Sequence, residues 1–418
     1  MRILEISPYN FVHGGSDRYF LTVSQLLEQA GHEVHRFCKR DDRNLPSKDA
    51  AFFVPGIDPA QGGISDALRM LYSRAAARNL EALLDAHPID LAHLHIYYGH
   101  FSGSILNVLK KRGIPSVQTI HDYKVACPIS TFNRHGEICE DCQTARFWKT
   151  LQHRCNRGSL PRSALSMTEA YLTNALGAKT AMDRYIAVCR FQADRLIAHD
   201  LPAERVRVLY NFVDPEDFPQ VTRRQPPDSI VYFGRIERSK GIETLLKAFL
   251  AVPEKEREGV KLRFAGGGSF VGALKALIAE AGDPSVEFVG FLNGEETGAF
   301  FETALCSVLT PFVYENCSMS VLESLSRGVA VIGSDMGGLP EIIRDRVDGW
   351  IVPPEDQNAL SGVIRSILND PQKAIAMGLK GREKITREFD PASHCDALIG
   401  HFNEVLAARN PSEDIRGQ

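Results

Sequence analysis

The stretch Ser229-Ile230-Val231-Tyr232-Phe233-Gly234-Arg235-Ile236-Glu237-Arg238-Ser239-Lys240-Gly241 decides the fold. Residues 230–233 are β-branched or aromatic and read as a buried strand. Gly234 ends that strand, and a turn carrying Arg235 and Lys240 leads through Gly241 into a helical pattern that lasts to Leu250. This is a βα unit with two cations at the carboxyl end of its strand, where open α/β sheets bind ligands. Further apolar strands follow at 261–265, 286–289, 306–309, 329–333 and 349–352.

The N-terminal half has the same alternation. Strands are expected at 3–7, 31–37, 89–95, 115–120, 185–188 and 206–209, with helices over 17–30 and 102–111. The segment 211–227 is rich in proline and charge, breaks both periodicities and reads as a linker. At 418 residues the chain is too long for one ordinary core. The expectation is α/β, with two Rossmann-like doubly wound domains facing a central cleft. The first spans 1–212 with an insertion at about 123–165, and the second spans 213–388. Residues 389–418 form a helix crossing back toward the first domain, then a tail that looks disordered past Asn410. Gly14-Gly15 follows the first strand of one domain and Arg235 the first strand of the other, so both point at the cleft.

A net charge of −4 gives no nucleic-acid signature. The start, Met1-Arg2-Ile3-Leu4-Glu5-Ile6-Ser7-Pro8, reads as a strand rather than a signal peptide, and no apolar run is long enough to span a bilayer. A cytoplasmic protein is expected, with any membrane contact peripheral.

Two carboxylates complete the pattern. Glu315 and Glu323, separated by seven residues, lie in the same half as Arg235 and Lys240. A diphosphate needs fixed positive charge, and carboxylates hold vicinal hydroxyls of ribose or a sugar. Both together suit a nucleotide diphosphate sugar.

The order and spacing of these motifs resemble the large family of retaining glycosyltransferases with the GT-B fold (glycosyltransferase family 4, glycosyl transferases group 1). The likeness rests on Gly14-Gly15, His121-Asp122, Asn211-Phe212-Val213-Asp214, Gly234-Arg235 to Lys240-Gly241, Gly266-Gly267-Gly268, the paired glutamates and Gly337-Gly338-Leu339-Pro340-Glu341. It implies a retaining enzyme that needs no metal for catalysis and moves a sugar from a UDP- or GDP-sugar to a glycan or lipid-linked acceptor. The bacterial surface polysaccharides and the inner membrane face are the implied setting.

By that resemblance Arg235 and Lys240 clamp the diphosphate, and Glu323 accepts from the ribose hydroxyls. Glu315 contacts the donor sugar. Backbone N–H groups of Ser318 and Met319 meet the diphosphate at a helix N-terminus. Cys317-Ser318 stand where the family often has Phe-Gly. Gly14 and Gly15 allow close approach of backbone, with positive φ available. His121 contacts the donor sugar with Asp122 orienting it, while His95 could face the acceptor. Gly266, Gly267, Phe291 and Leu292 frame the base. Two rivals share the architecture: a sugar-nucleotide epimerase, and a non-catalytic sugar-nucleotide-binding scaffold.

Nine cysteines include five isolated ones, Cys38, Cys189, Cys306, Cys317 and Cys395. The others, Cys127, Cys139, Cys142 and Cys155, cluster after His121, with Cys139 and Cys142 at knuckle spacing. They suit a structural Zn²⁺ site, with unligated thiols or an iron–sulfur cluster as alternatives and His135 or His153 as substitute ligands. Basic residues around Phe147 and Trp148 suit an anionic acceptor or lipid headgroups, or form a solvated face.

Overall fold

The computed structural model describes residues 1–57, 63–223 and 226–409; the tail past Asn410 lies outside them. The chain forms two compact units. The first comprises Met1–His135, Cys139–Tyr210 and the residues from Ala392 onward; the second comprises Gly136–Ile138 and Asn211–Pro391.

The first unit's main strands are β1 (Arg2–Ile6), β2 (Glu33–Phe37), β3 (Leu91–Leu94) and β4 (Ser116–Ile120). After two short strands, β5 (Asn133–Arg134) and β6 (Glu137–Ile138), come β7 (Arg184–Ala187) and β8 (Val206–Val208). The sheet order is β2-β1-β3-β4-β7-β8, with every pair parallel. Every residue of β3 and β4 is buried, as expected of parallel strands covered on both faces.

The second unit repeats the plan with β9 (Ser229–Phe233), β10 (Lys261–Ala265), β11 (Val286–Gly290), β12 (Ala304–Leu309), β13 (Val331–Ser334) and β14 (Gly349–Val352). Its order is β11-β10-β9-β12-β13-β14, again wholly parallel. Each sheet grows outward in both directions from its first strand. The reversals therefore fall between β1 and β3 and between β9 and β12, the crevices where ligands enter doubly wound folds.

Local chemistry explains the boundaries. The strand expected from Val329 starts at Val331, because the preceding residues close the helix Met319–Ser326. Gly328 takes a left-handed φ of 77° and donates to the Leu325 carbonyl, while Val329 donates to Ser324, a Schellman ending. Helices Gln357–Asn369 and Pro371–Glu388 were not anticipated. They begin where Asp356 accepts from the Ala359 N–H and Asp370 from Lys373, with Pro371 in the first turn.

The glycine turn after β10 needs glycine for space at one position and not at the next. Gly266 has a φ of +136°, and a Cβ there would lie 1.8 Å from the Gly234 carbonyl oxygen. At Gly267 a Cβ would meet nothing within 4 Å. Gly266→Ala should destabilise the second unit by roughly 3 kcal/mol or more, whereas Gly267→Ala should stay within about 0.5 kcal/mol. Urea unfolding of both variants tests this; equal midpoints would contradict the close packing.

Candidate active site

In the second unit, the loops leaving β9, β10, β12 and β13 lock together. The β9 loop forms a tight turn over Arg238–Lys240 and enters helix Ile242–Leu250 through Gly241, whose φ is 76°. A Cβ at Gly241 would strike the Thr310 carbonyl at 1.9 Å, so glycine lets this turn press against the loop after β12. Phe312 donates its N–H to Ser239 O at 3.1 Å across the same contact. The Glu237 carboxylate takes the Ser269 N–H at 3.0 Å, and Ile236 donates to Gly267 O at 2.9 Å, tying in the glycine turn. Gly338 donates to Glu315 O at 2.7 Å, bringing in the β13 loop.

This convergence sets the charges. The Lys240 ammonium is hydrogen-bonded to the Glu315 carboxylate, with side chains only 12% and 16% exposed. The two residues stand apart in sequence, and the β9/β12 reversal brings them together. Arg235 is exposed at the same strand end, and its guanidinium has no ion pair among the described residues. Its carbonyl accepts from the buried Tyr232 hydroxyl at 2.6 Å, which fixes the backbone.

Ser318 is the N-cap of helix Met319–Ser326, and its hydroxyl lies 3.1 Å from that of Ser320 rather than capping the backbone. Asn211 donates to Cys317 O at 3.1 Å, anchoring the loop before this helix. Glu323 is buried on the helix, and its charge acts on the buried Arg327 one turn later. Phe291 and Leu292 diverge. The Phe291 ring is 83% exposed just beyond β11, whereas Leu292 packs against the core around Phe300 and Phe301.

The first unit holds a buried polar network at its own reversal. Glu5 on β1 accepts from His93 Nδ1 at 2.9 Å and from His95 Nε2 at 2.7 Å. His93 Nε2 also meets Thr119 Oγ1 at 2.8 Å, and His95 Nδ1 meets His121 Nε2 at 3.1 Å. Burial alone would raise the Glu5 carboxyl, but its interactions with His93 and His95 hold it down at about 2. Burial, reinforced by His93, brings His95 down to about 4. Burial, with His95 and His93, also drives His121 well below its ordinary value.

These states fix the tautomers. An ionised Glu5 only accepts, so His95 Nε2 carries the proton and its Nδ1 is an acceptor. His121 therefore donates through Nε2 and keeps its lone pair on Nδ1. Sequence reading missed Glu5, although a carboxylate inside an apolar strand was its available signal. His95 does not face an acceptor, since it is buried with both nitrogens engaged. His95 rather than Asp122 orients His121; Asp122 accepts from the Tyr98 hydroxyl and the Lys124 N–H.

Gly14 also corrects the reading. It is extended, with φ −160°, a conformation open to any residue, and it caps the helix Gly15–Gln29. Backbone N–H groups of Gly14 and His13 point to the Asp17 carboxylate, which burial raises to about 6. Tyr19 on that helix reaches His394 Nε2 at 2.8 Å, and its ring lies edge-on to His121 at 5.0 Å. Among the insertion's aromatics, Phe147 is buried against Tyr171 and Trp148 is exposed. Cys127 is buried, while Cys139, Cys142 and Cys155 are partly exposed; all are free thiols.

Residues 213–384 match the family described as Glycosyl transferases group 1, and residues 13–217 match Glycosyltransferase Family 4. The glycogen synthase of Mycobacterium tuberculosis is 31% identical over 407 residues, covering 93% of this chain and 91% of that protein. Sucrose-phosphate synthase from Thermosynechococcus elongatus aligns with a TM-score of 0.73 at 20% identity, covering 97% of this chain and 99% of that one. HepE of Anabaena, solved in complex with UDP-glucose, aligns with a TM-score of 0.67 at 17% identity, covering 98% and 100%. With two wholly parallel doubly wound sheets and these matches over both halves, the chain belongs to the group 1, family 4 glycosyltransferases of GT-B fold.

Proposed function

We propose that this glycosyltransferase moves a hexosyl or N-acetylhexosaminyl group from a UDP- or GDP-sugar to a hydroxyl of a glycan or lipid-linked acceptor. The anomeric configuration is retained, and the setting is bacterial surface polysaccharide synthesis. The observation that carries the reading is the Lys240–Glu315 pair at the β9/β12 reversal, with Arg235, unpaired among the described residues, at the end of the same strand β9. The UDP-glucose held by HepE, a protein of similar fold, supports the donor class.

As the sugar leaves, negative charge grows on the distal phosphate. Arg235 and Lys240 stabilise that charge most in the transition state and take the role of a divalent metal, so no cofactor enters catalysis. Glu315 holds the Lys240 ammonium in place and presents its other lone pairs to sugar hydroxyls. Ser318 and Met319 offer helix N-terminal N–H groups to the diphosphate. Glu323 accepts from the ribose, and the Gly266-Gly267 turn frames the base with Phe291 across its face. In the first unit, His121 contacts the sugar through Nδ1, and the Gly14-Gly15 turn lies over the donor. No carboxylate is assigned as nucleophile; the leaving phosphate oxygen accepts the acceptor's proton in an internal-return route.

No helix among the described residues is long and apolar enough to cross a membrane. A cytoplasmic enzyme touching the inner membrane face peripherally, through the basic insertion around Trp148, fits a lipid-linked acceptor.

Glu323→Ala should weaken UDP or GDP binding by about tenfold or more, a loss on the scale of a hydrogen bond to a charged group. Arg235→Ala should leave nucleotide affinity nearly unchanged and lower kcat by about 10²–10³-fold. Calorimetry and donor-turnover kinetics without added divalent cations separate the two. Unchanged nucleotide affinity in Glu323→Ala contradicts the ribose role, and donor consumption without any acceptor product points to an epimerase.

Lys240→Ala leaves the Glu315 carboxylate largely buried without its counter-charge and should cost about 1–3 kcal/mol. Adding Glu315→Ala should recover part of that loss. Additive losses in a double-mutant cycle would show that the pair is not coupled.

His95 titrates at 6.5 when unfolded and about 4 when folded. The unfolded chain thus binds a proton that the folded chain refuses, so stability falls as pH drops from 6.5 toward about 4. Asp17, raised from 3.8 to about 6, acts in the opposite direction over an overlapping window. Comparing wild type with His95→Gln isolates the histidine contribution. The variant's melting temperature should decline less steeply on acidification, and an unchanged slope would remove His95 from the network.

A further inference from the structure

We infer that Cys127, Cys139, Cys142 and Cys155 bind one structural Zn²⁺ that staples the segment following His121. Nothing in the transferase chemistry uses these thiols, so this inference is independent of the proposed reaction.

The local geometry joins the four residues in two pairs. Cys139 donates its N–H to Phe132 O at 2.8 Å, and the N–H groups of Ile129, Thr131 and Phe132 are directed at the Cys127 sulfur. Cys127 and Cys139 thus meet on Phe132. Cys142 Sγ lies 3.7 Å from Thr150 Oγ1, and Cys155 donates its N–H to Thr150 O at 3.1 Å. Cys142 and Cys155 thus meet on Thr150. Cys142 is also near enough to Cys127, Cys139 and Cys155 to feel each of them, so the two pairs share one neighbourhood. Three backbone donors around one sulfur exceed what a neutral thiol, a weak acceptor, can use. A bound cation would deprotonate the thiols, and these donors would then meet a thiolate.

The backbone supplies an independent sign. Of the twelve non-glycine residues with positive φ among the described residues, seven lie between Ser130 and Arg157. These are Ser130, Phe132, His135, Thr144, Ala145, Arg154 and Arg157. Each such residue is strained and persists only where surrounding structure over-determines it. Regular structure here is scarce: two two-residue strands, one turn of 3₁₀ helix and the four-residue helix Lys149–Gln152. A metal staple is the kind of constraint that holds such a segment.

The chemistry selects zinc. Cys139-Glu140-Asp141-Cys142 has knuckle spacing, and four thiolates give a closed tetrahedral site. Two other groups of described residues hold three donor atoms within 4.8 Å of one another, Glu5/His93/His95 and His35/Asp49/His87. In both, the donors already bond one another. The cysteine sulfurs are not so closely gathered, and a bound ion draws them to the roughly 3.8 Å separation that tetrahedral Zn–S geometry sets.

The test uses the full chain purified under reducing conditions. Elemental analysis should give about one zinc per chain. Replacing that zinc with Co²⁺ should produce thiolate-to-cobalt charge-transfer absorption and the strong d–d bands of a tetrahedral site. Cys142→Ser and Cys155→Ser should lose the metal, and His135→Ala should keep it. Should the serine variants fail to fold, Co²⁺ titration of chelator-stripped wild type gives the stoichiometry and the spectrum directly. Iron with inorganic sulfide, disulfides between these residues, or a metal-free chain whose stripped form takes up no Co²⁺ would each overturn the inference.

Discussion

The contact on which the second unit's site depends is the ion pair between Lys240 and Glu315. Two partly buried charges are costly unless their geometry is fixed. Here the cost is met by backbone: Gly241 lets one turn press on Thr310, Phe312 bonds Ser239, and Gly337-Gly338 packs on Glu315 itself. A Cβ at Gly337 would come within 2.0 Å of the Glu315 carbonyl oxygen. The glycines therefore serve close approach between loops, and the loops in turn hold an ammonium beside a carboxylate before any ligand arrives. Preorganised charge of this kind needs no rearrangement to meet an anion.

The same physics takes another form in the first unit. Glu5 is a charge sealed inside a parallel sheet, and the N–H groups of His93 and His95 compensate it. Its effect reaches the site through tautomers. By accepting from His95 Nε2, the carboxylate decides which nitrogen of His121 carries the lone pair. A residue with no access to solvent thus controls the hydrogen-bonding sense of a histidine at the end of β4.

Much of this was legible in the sequence, and what was not has identifiable causes. Buried parallel strands are nearly continuous apolar runs, so β10 and β14 fall on 261–265 and 349–352 as expected. Gly234-Arg235, Lys240-Gly241 and Glu315 could be marked because each sits just past such a run. Their pairing could not, because contact between Lys240 and Glu315 is created by strand order, which local pattern does not encode. The Glu5 network was hidden for a related reason: β1 and β3 are adjacent in space and distant in sequence. Gly14 misled in a different way. Sequence shows that glycine is present but not whether its freedom is used, and here the φ is ordinary while the backbone N–H serves Asp17. The helices starting at Gln357 and Pro371 had readable caps in Asp356 and Asp370, signals passed over in favour of apolar periodicity.

The two sheets place polar groups at the same topological position with opposite electrostatic results. At the β1/β3 reversal stand a carboxylate and imidazoles, with His95 and His121 held neutral. Fixed cations are absent from that network, and a diphosphate there would meet the field of Glu5. At the β9/β12 reversal, one carboxylate is already matched by Lys240, and Arg235 remains unpaired among the described residues. A ligand carrying two phosphates is therefore favoured by the second unit and disfavoured by the first. A neutral ligand suits the first unit better, since no charge would be set against Glu5. The two reversals thus differ in the ligand charge they favour, a property set by a few residues on otherwise similar scaffolds.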